Sequence, residues 1–127
     1  MLLIKNGLIH NAVVRDPFTA DILVEDGKIV KIEENIQCDE AEVFDASGLE
    51  VYPGFVEAHC HTGLHGYGIG YEGADYNEMG DIIACQLRGI DAIEPRDETL
   101  VEAREAGVTT LCAGPGSANV LGGTFAA

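Results

Sequence analysis

Apolar and polar residues alternate over short distances in the first fifty positions, the pattern of β-strands that bury one face. Two dipeptides that favour tight turns separate apolar runs: Asn6-Gly7, between residues 2–4 and 8–9, and Asp26-Gly27, between residues 21–25 and 28–33. Asn-Gly and Asp-Gly in this position are strong signals for β-hairpins. A further short strand is expected at Val43. This part of the chain therefore predicts a small β module with two hairpins.

The pattern changes at Pro53, after which the chain is much richer in glycine. Residues 54–58 form an apolar run that predicts a strand, and a pair of histidines and a glycine-rich loop follow it directly. We therefore place a boundary here, between a β portion in residues 1–52 and a second region in residues 53–127.

The second region contains two segments with helical spacing. Apolar residues at 82, 83, 87, 90 and 93 predict a helix over residues 82–93, which Gly89 weakens. Another helix is predicted to open at Pro95 and to stop at Gly107. The β-branched run that follows, residues 108–113, predicts a strand. Strand, helix and strand in this order indicate a parallel βαβ arrangement, and so a mixed α/β fold.

Composition excludes several classes of protein. The 127 residues include 7 basic and 22 acidic side chains, a formal net charge of −15, whereas phosphate recognition needs clustered Lys and Arg. No run approaches the roughly 20 apolar residues of a membrane helix, and the N-terminus turns polar too early for a signal peptide. The cysteines form no CxxC pair, which predicts buried free thiols in a reducing compartment. We expect a cytoplasmic protein that binds neither nucleic acid nor membrane.

The leading candidate for chemistry is the pair His59 and His61. Residues i and i+2 of a strand point to the same face, so both imidazoles can reach one point and bind a divalent metal. Glu57 shares that face and could bind a cation or orient a ligand. A bare HxH also fits two histidines at a polar strand end. The apolar strand, entered through Pro-Gly and left through a glycine loop, favours the metal site, because barrels place active sites there.

Other polar residues are candidates for contacts with a substrate. His65 is four residues beyond the pair, so strand geometry no longer holds it beside them, and we expect a surface or substrate-contacting residue rather than a ligand. The loop after residue 113 contains Ser117 and Asn119, whose polar groups could bind a carboxylate or carbonyl. A tight turn explains this loop equally well.

Residues 68–73 match the GxGxxG fingerprint of dinucleotide-binding proteins. That fingerprint requires a helix that starts within the glycines and points its free N–H groups at a pyrophosphate. Four nearby acidic residues would repel phosphate here, namely Glu72, Asp75, Glu78 and Asp81. We therefore expect a loop that covers a substrate rather than a nucleotide site.

Three segments together resemble the amidohydrolase superfamily of metal-dependent (β/α)₈ hydrolases. In chain order they are residues 21–32 (DILVEDGKIVKI), residues 51–61 (VYPGFVEAHCH) and residues 103–110 (AREAGVTT). Their order and spacing both agree with the family, and the resemblance covers nearly the whole chain. The stretch from His59 to Asn119 is most similar to imidazolonepropionase-like amidohydrolases.

The resemblance implies the N-terminal part of a small β-sandwich, followed by the first one or two βα units of a (β/α)₈ TIM barrel that stays incomplete. It implies that His59 and His61 are metal ligands, with zinc as the expected metal and iron or manganese as alternatives. Glu57 stands where the family often has Asp. The implied reaction is hydrolysis of a non-peptide C–N bond, in a cyclic amide or imidazolone-like small molecule, by a metal-activated hydroxide.

The family completes its metal site with histidines from later strands, an aspartate and sometimes a carboxylated lysine. No histidine follows His65 and no lysine follows Lys31 in this chain, and a barrel needs roughly 250 residues. We therefore expect the N-terminal third of an amidohydrolase, with an incomplete ligand set and no activity by itself.

A function from another class is also open. The uncovered edges of the β portion and of a two-stranded barrel start could pair with another chain. This predicts a homo-oligomer, and it makes a non-catalytic interaction module the alternative to an enzyme fragment.

Overall fold

The computed structural model describes residues 1–127 and divides them into two compact units, Met1–Pro53 and Gly54–Ala127. The chain is mostly β, with seven strands and one α-helix. In chain order they are β1 (Leu2–Ile9), β2 (Phe18–Glu25), β3 (Lys28–Glu33), β4 (Glu42–Asp45), β5 (Glu50–Val51), β6 (Phe55–Cys60), α1 (Glu98–Glu105) and β7 (Val108–Ala113). None of its helices has the length and apolar character to span a bilayer.

The first unit is a single sheet in the order β3-β2-β1-β4, with β5 continuing along β1 beyond β4. The first three strands are antiparallel, whereas β4 and β5 run parallel to β1. Its core is formed by Ile9, Ala20 and Ile22, against which further apolar side chains pack, namely Ile4, Phe18, Val24 and Val51. The alternating pattern predicts burial of one face, but burial is not confined to the face of Ile22, because Leu3 and Asp21, on the opposite face, are also buried.

Only one of the two predicted hairpins is present. The Asp26-Gly27 hairpin is confirmed: it joins β2 to β3, and both turn residues have positive φ, 49° and 73°. The predicted Asn6-Gly7 hairpin is wrong, because β1 continues through this dipeptide and the register shifts there as at a β-bulge. Asn6 has a φ of 62°, so the dipeptide produces a kink rather than a chain reversal.

Long-range contacts explain the bulge. An added Cβ on Gly7 would lie 2.7 Å from Val51 Cγ2, so glycine is needed there for close approach. Asp21 is buried, and its Oδ1 accepts a hydrogen bond from the Asn6 N–H at 2.8 Å. Its Oδ2 accepts another from the Ile36 N–H at 3.0 Å. One carboxylate therefore holds both the bulge in β1 and the turn that follows β3.

The second unit is organised around a parallel pair, β6 and β7, with α1 in the connection between them. The helix predicted from Pro95 is confirmed, although it begins at Glu98 with Asp97 as its N-cap. Gly107, with a φ of 91°, follows its C-terminal end as predicted. The predicted strands on both sides of the helix are also present.

The helix predicted over residues 82–93 is wrong. The segment is largely irregular and forms isolated bridges, Ile83 with Leu121 and Arg88 with Thr124, and its only helical turn is the 3₁₀ turn at Gly89–Asp91. An added Cβ on Gly89 would lie 3.0 Å from Gly114 Cα, so the backbone packs closely against the loop after β7. The apolar side chains of this segment are mostly exposed, so they do not form the buried face that an amphipathic helix would need.

All four cysteines are free, as expected. The prediction that they are buried is wrong, because Cys85 is exposed and the other three are only half-buried. The exposed thiol lies in the segment that was predicted to be helical, where no packed face protects it.

Candidate metal site at the end of strand β6

Strand β6 carries His59, and His61 follows its last residue. Their ring centroids are 5.5 Å apart and the ring planes meet at 79°. His59 is exposed and its ring lies 4.8 Å from the ring of Phe125, whereas His61 is half-buried. The two imidazoles therefore lie close together, edge to face, at one end of the parallel pair.

A hydrogen bond to the loop after β7 determines which nitrogen of His61 carries its proton. His61 Nδ1 is 2.6 Å from the carbonyl oxygen of Gly114, the residue after β7. A carbonyl oxygen can only accept, so Nδ1 must donate. In the neutral ring Nε2 then has the free lone pair, which is the arrangement found in metal-binding histidines whose other nitrogen is held by the protein.

Glu57 supports the same strand end through the backbone. Its Oε1 accepts a hydrogen bond from the N–H of His59 at 3.0 Å. The carboxylate thereby stabilises the irregular end of β6, where the register with β7 shifts between Glu57 and Cys60. Its role toward a cation stays a prediction.

His65 lies close to the pair but is separated from it by an aromatic ring. Its ring is 4.2 Å from that of Tyr76, and the ring of Tyr76 is 5.4 Å from that of His61 at an interplanar angle of 15°. The sequence contains no periodic signal for Tyr76, Phe125 or the Gly114 carbonyl, so sequence reasoning missed all three.

The two candidates in the second glycine loop are not joined to the histidines by any contact. Ser117 is exposed. Asn119 donates through Nδ2 to the carbonyl oxygens of Glu78 and Asp81, at 2.9 and 2.6 Å, so its amide donors tie two loops together. Only its side-chain oxygen is left for a ligand.

The GxGxxG stretch does not open an α-helix. It contains a 3₁₀ turn at Gly70–Gly73, and Gly68 and Gly70 have positive φ values of 75° and 81°. No helix N-terminus is therefore available there to bind a pyrophosphate. The preceding part of this loop is attached to α1, because Asp97 Oδ2 accepts from the Tyr67 N–H at 3.3 Å.

Comparison with known proteins identifies the family. No family model matches the chain. Over 61 residues it is 48% identical to a dihydroorotase of Streptococcus pyogenes serotype M1, covering 48% of this chain and 14% of that protein. Over 107 residues it is 35% identical to the amidohydrolase tasK of Hapsidospora irregularis, covering 81% of this chain and 11% of tasK. An amidohydrolase structure from Thermotoga maritima MSB8 matches with a TM-score of 0.90 and 38% identity over 98% of this chain.

The chain belongs to the amidohydrolase superfamily and corresponds to the N-terminal region of its members. It spans about a seventh of the dihydroorotase and 32% of the Thermotoga amidohydrolase. The narrower similarity to imidazolonepropionase-like amidohydrolases stays a prediction.

Amidohydrolases are generally metal-dependent, and the donors of this chain fit part of a metal site. His59 and His61 offer neutral imidazoles, which suit zinc, iron and manganese. No group of three or more His, Cys, Asp or Glu side chains could hold a metal ion. The chain therefore supplies a pair of donors rather than a closed site.

Asp97, the N-cap of α1, also holds the loop that contains His65, through its bond with the Tyr67 N–H. Removing this carboxylate should therefore have a measurable effect on stability. Thr99 donates to Asp97 Oδ1 through its N–H at 2.9 Å and its hydroxyl at 2.6 Å. These bonds, with that of the Tyr67 N–H, hold the pKa of Asp97 below its usual range.

We expect Asp97→Ala to lower the free energy of unfolding by about 1 kcal/mol at pH 7. A lowered folded-state pKa contributes stability above the unfolded value, so the difference should shrink as the pH falls below about 4. Asp97→Ser, which keeps a capping oxygen, should recover part of the loss in urea unfolding monitored by far-ultraviolet circular dichroism. A loss that is unchanged at pH 3 would contradict the role of the charged carboxylate.

Proposed function

We propose that this chain supplies the first part of a metal-dependent hydrolase that cleaves non-peptide C–N bonds in a cyclic amide or imidazolone-like small molecule. The proximity of His59 and His61 at the end of β6, with ring centroids 5.5 Å apart, is the observation on which this rests. The relatives named dihydroorotase and amidohydrolase support the reaction class. A bound divalent metal, with zinc as first choice and iron or manganese as alternatives, would polarise water and the substrate carbonyl.

The residues of this chain would orient the metal and the substrate. His59 and His61 would donate ring nitrogens, and the Gly114 carbonyl would keep Nε2 of His61 free for that purpose. Glu57 would hold the strand end that carries both rings. We also propose His65, Ser117 and Asn119 as contacts for the polar groups of the substrate. We expect the residues that transfer protons to come from later strands of the barrel.

The exposure of β6 supports a second part of the proposal, that residues 53–127 begin a (β/α)₈ barrel after a β-sandwich portion in residues 1–52. Parallel sheets are usually covered on both faces. Here Phe55 and Val56, on opposite faces of β6, are 55% and 66% exposed. Further strands and helices of a barrel would cover these side chains.

The isolated chain should bind zinc weakly and hydrolyse nothing, because catalytic zinc sites usually have three protein ligands and this chain offers two imidazoles. We expect zinc titration by calorimetry to give a dissociation constant at least 100-fold higher for the 127-residue chain than for the parent protein. Tight binding of one zinc ion per chain, together with turnover of cyclic amides by the isolated chain, would contradict the prediction that the fragment is inactive.

A non-catalytic interaction module is the second candidate, favoured by the edge of the first sheet. All six residues of β3 are exposed, including Ile29 at 61% and Val30 at 51%, and this strand forms the end of the sheet. Exposed edge strands pair readily with other chains. We propose a homo-oligomeric, cytoplasmic protein under either function. A stable metal-free oligomer in size-exclusion chromatography, with no active parent, would favour the module.

A further inference from the structure

The ring of Tyr76 contacts the rings of two histidines, His61 at the end of β6 and His65 in the loop that follows. Its ring is nearly parallel to that of His61, at 15° and 5.4 Å, and is tilted by 32° against that of His65 at 4.2 Å. Tyr76 is half-buried. No side-chain hydrogen bond involves its hydroxyl group, so the contacts of this side chain are those of its ring.

The backbone around Tyr76 is held on two sides. The Gly116 N–H donates to the Tyr76 carbonyl oxygen at 2.5 Å, and the Asp75 N–H donates to that of Leu64 at 2.7 Å. An added Cβ on Gly116 would lie 2.8 Å from Tyr76 Cδ2 and 2.1 Å from Asn77 Oδ1. The loop after β7 therefore packs directly against the tyrosine ring.

The same loop holds the proton-bearing nitrogen of His61. Gly114, whose carbonyl oxygen accepts from His61 Nδ1, is separated from Gly116 by one residue. A 180° flip of the imidazole would replace Nδ1 by a carbon atom at this carbonyl and would turn the other nitrogen away. Stacking on Tyr76 restricts the tilt of the His61 ring, and the hydrogen bond to Gly114 selects one of the two ring orientations that are related by the flip.

We propose that Tyr76 is a positioning residue: its ring holds the imidazole of His61 against the Gly114 carbonyl, which keeps His61 in the Nδ1–H tautomer with Nε2 available to a ligand, and it links this orientation to the His65 loop. The link to metal binding rests on the function proposed above. The orientation of the ring does not, because it is a property of the metal-free chain.

Nitrogen-15 NMR of the imidazole rings tests the orientation directly, in the metal-free 127-residue chain at pH 8. In the native chain we expect Nδ1 of His61 to carry the proton and NOEs to join its ring to that of Tyr76. Tyr76→Leu should give a mixture of tautomers, whereas Tyr76→Phe, which keeps the ring, should match the native chain. Tyr71→Leu is the matched control, because Tyr71 is in the same loop and is 84% exposed.

The affinity of the same chain and its variants for added zinc provides the second measurement. We expect Tyr76→Leu to weaken zinc binding about 10- to 100-fold and Tyr76→Phe to leave it unchanged. An unaltered His61 tautomer in folded Tyr76→Leu would overturn the proposal. An Nε2–H tautomer of His61 in the native chain, or the absence of NOEs between its ring and that of Tyr76, would also overturn it, and this second measurement does not depend on the folding of a variant. A tautomer change in a chain that binds no zinc would support the positioning role while the metal function fails.

Discussion

Replacing either His59 or His61 by alanine in the parent protein is expected to lower kcat/KM for C–N bond hydrolysis by more than 100-fold. Changes to groups that only orient a metal ligand typically cost about 10- to 100-fold, and removing the ligand itself should cost more. The two rings lie 5.5 Å apart at the end of one strand, so both should be affected similarly. Steady-state kinetics together with metal content by mass spectrometry measure the effect.

The control for this experiment is His10→Ala. His10 lies in the first unit, where it stacks on Tyr52 with ring centroids 4.3 Å apart, and it is not part of the candidate site. It should retain both metal content and activity. Full activity of the His59→Ala parent protein would contradict the metal function, whereas lost activity with normal metal content would indicate a role in substrate binding.

The second large effect is expected in the sheet of the first unit, where Asp21→Ala should lower the free energy of unfolding by about 3 kcal/mol. Asp21 is 3% exposed and accepts from the backbone N–H groups of Asn6 and Ile36. Alanine leaves both donors without an acceptor, and a buried unsatisfied donor such as the Ile36 N–H costs about 1–3 kcal/mol, with a smaller cost for the partly buried N–H of Asn6. Lys5 Nζ, 3.9 Å from Asp21 Oδ2, also loses its partner.

Amide hydrogen exchange by NMR gives a local measurement of this effect. The amides of Asn6 and Ile36 should lose protection in Asp21→Ala, whereas those of α1 in the second unit should not. Asp21→Asn keeps one acceptor oxygen and should show an intermediate loss. Asp39→Ala, at an exposed aspartate of the same unit, should change neither the exchange rates nor the stability. Unchanged protection of Asn6 in Asp21→Ala would contradict this account of the bulge.

Elements with local signals were predicted correctly. The Asp26-Gly27 hairpin depends on two residues that tolerate positive φ. Helix α1 depends on a capping aspartate at its start and a glycine after its end. The β-branched run predicted β7. For the hairpin and the helix the determining contacts lie within a few residues along the chain, so the sequence pattern contains them, whereas β7 was predicted from its β-branched residues although its partner strand β6 is distant in sequence.

The errors share a different physical cause. Asn6-Gly7 has the same turn signal as Asp26-Gly27, yet Asp21 binds the Asn6 amide from 15 residues away and β1 stays extended. Residues 82–93 have helical spacing, yet their backbone pairs with the loop after β7. Contacts across the fold outweighed local preferences that differ by about 1 kcal/mol or less per residue.

The sequence by itself determined the family, through three segments that resemble it in order and spacing, and it singled out the pair His59 and His61, whose spacing of two predicts a shared strand face. The tertiary structure decided how the pair is held. The Gly114 carbonyl, 53 residues from His61, selects its tautomer, and Tyr76 stacks on its ring. Backbone carbonyls are identical in every residue and aromatic stacking has no spacing rule, so only the folded chain reveals these contacts.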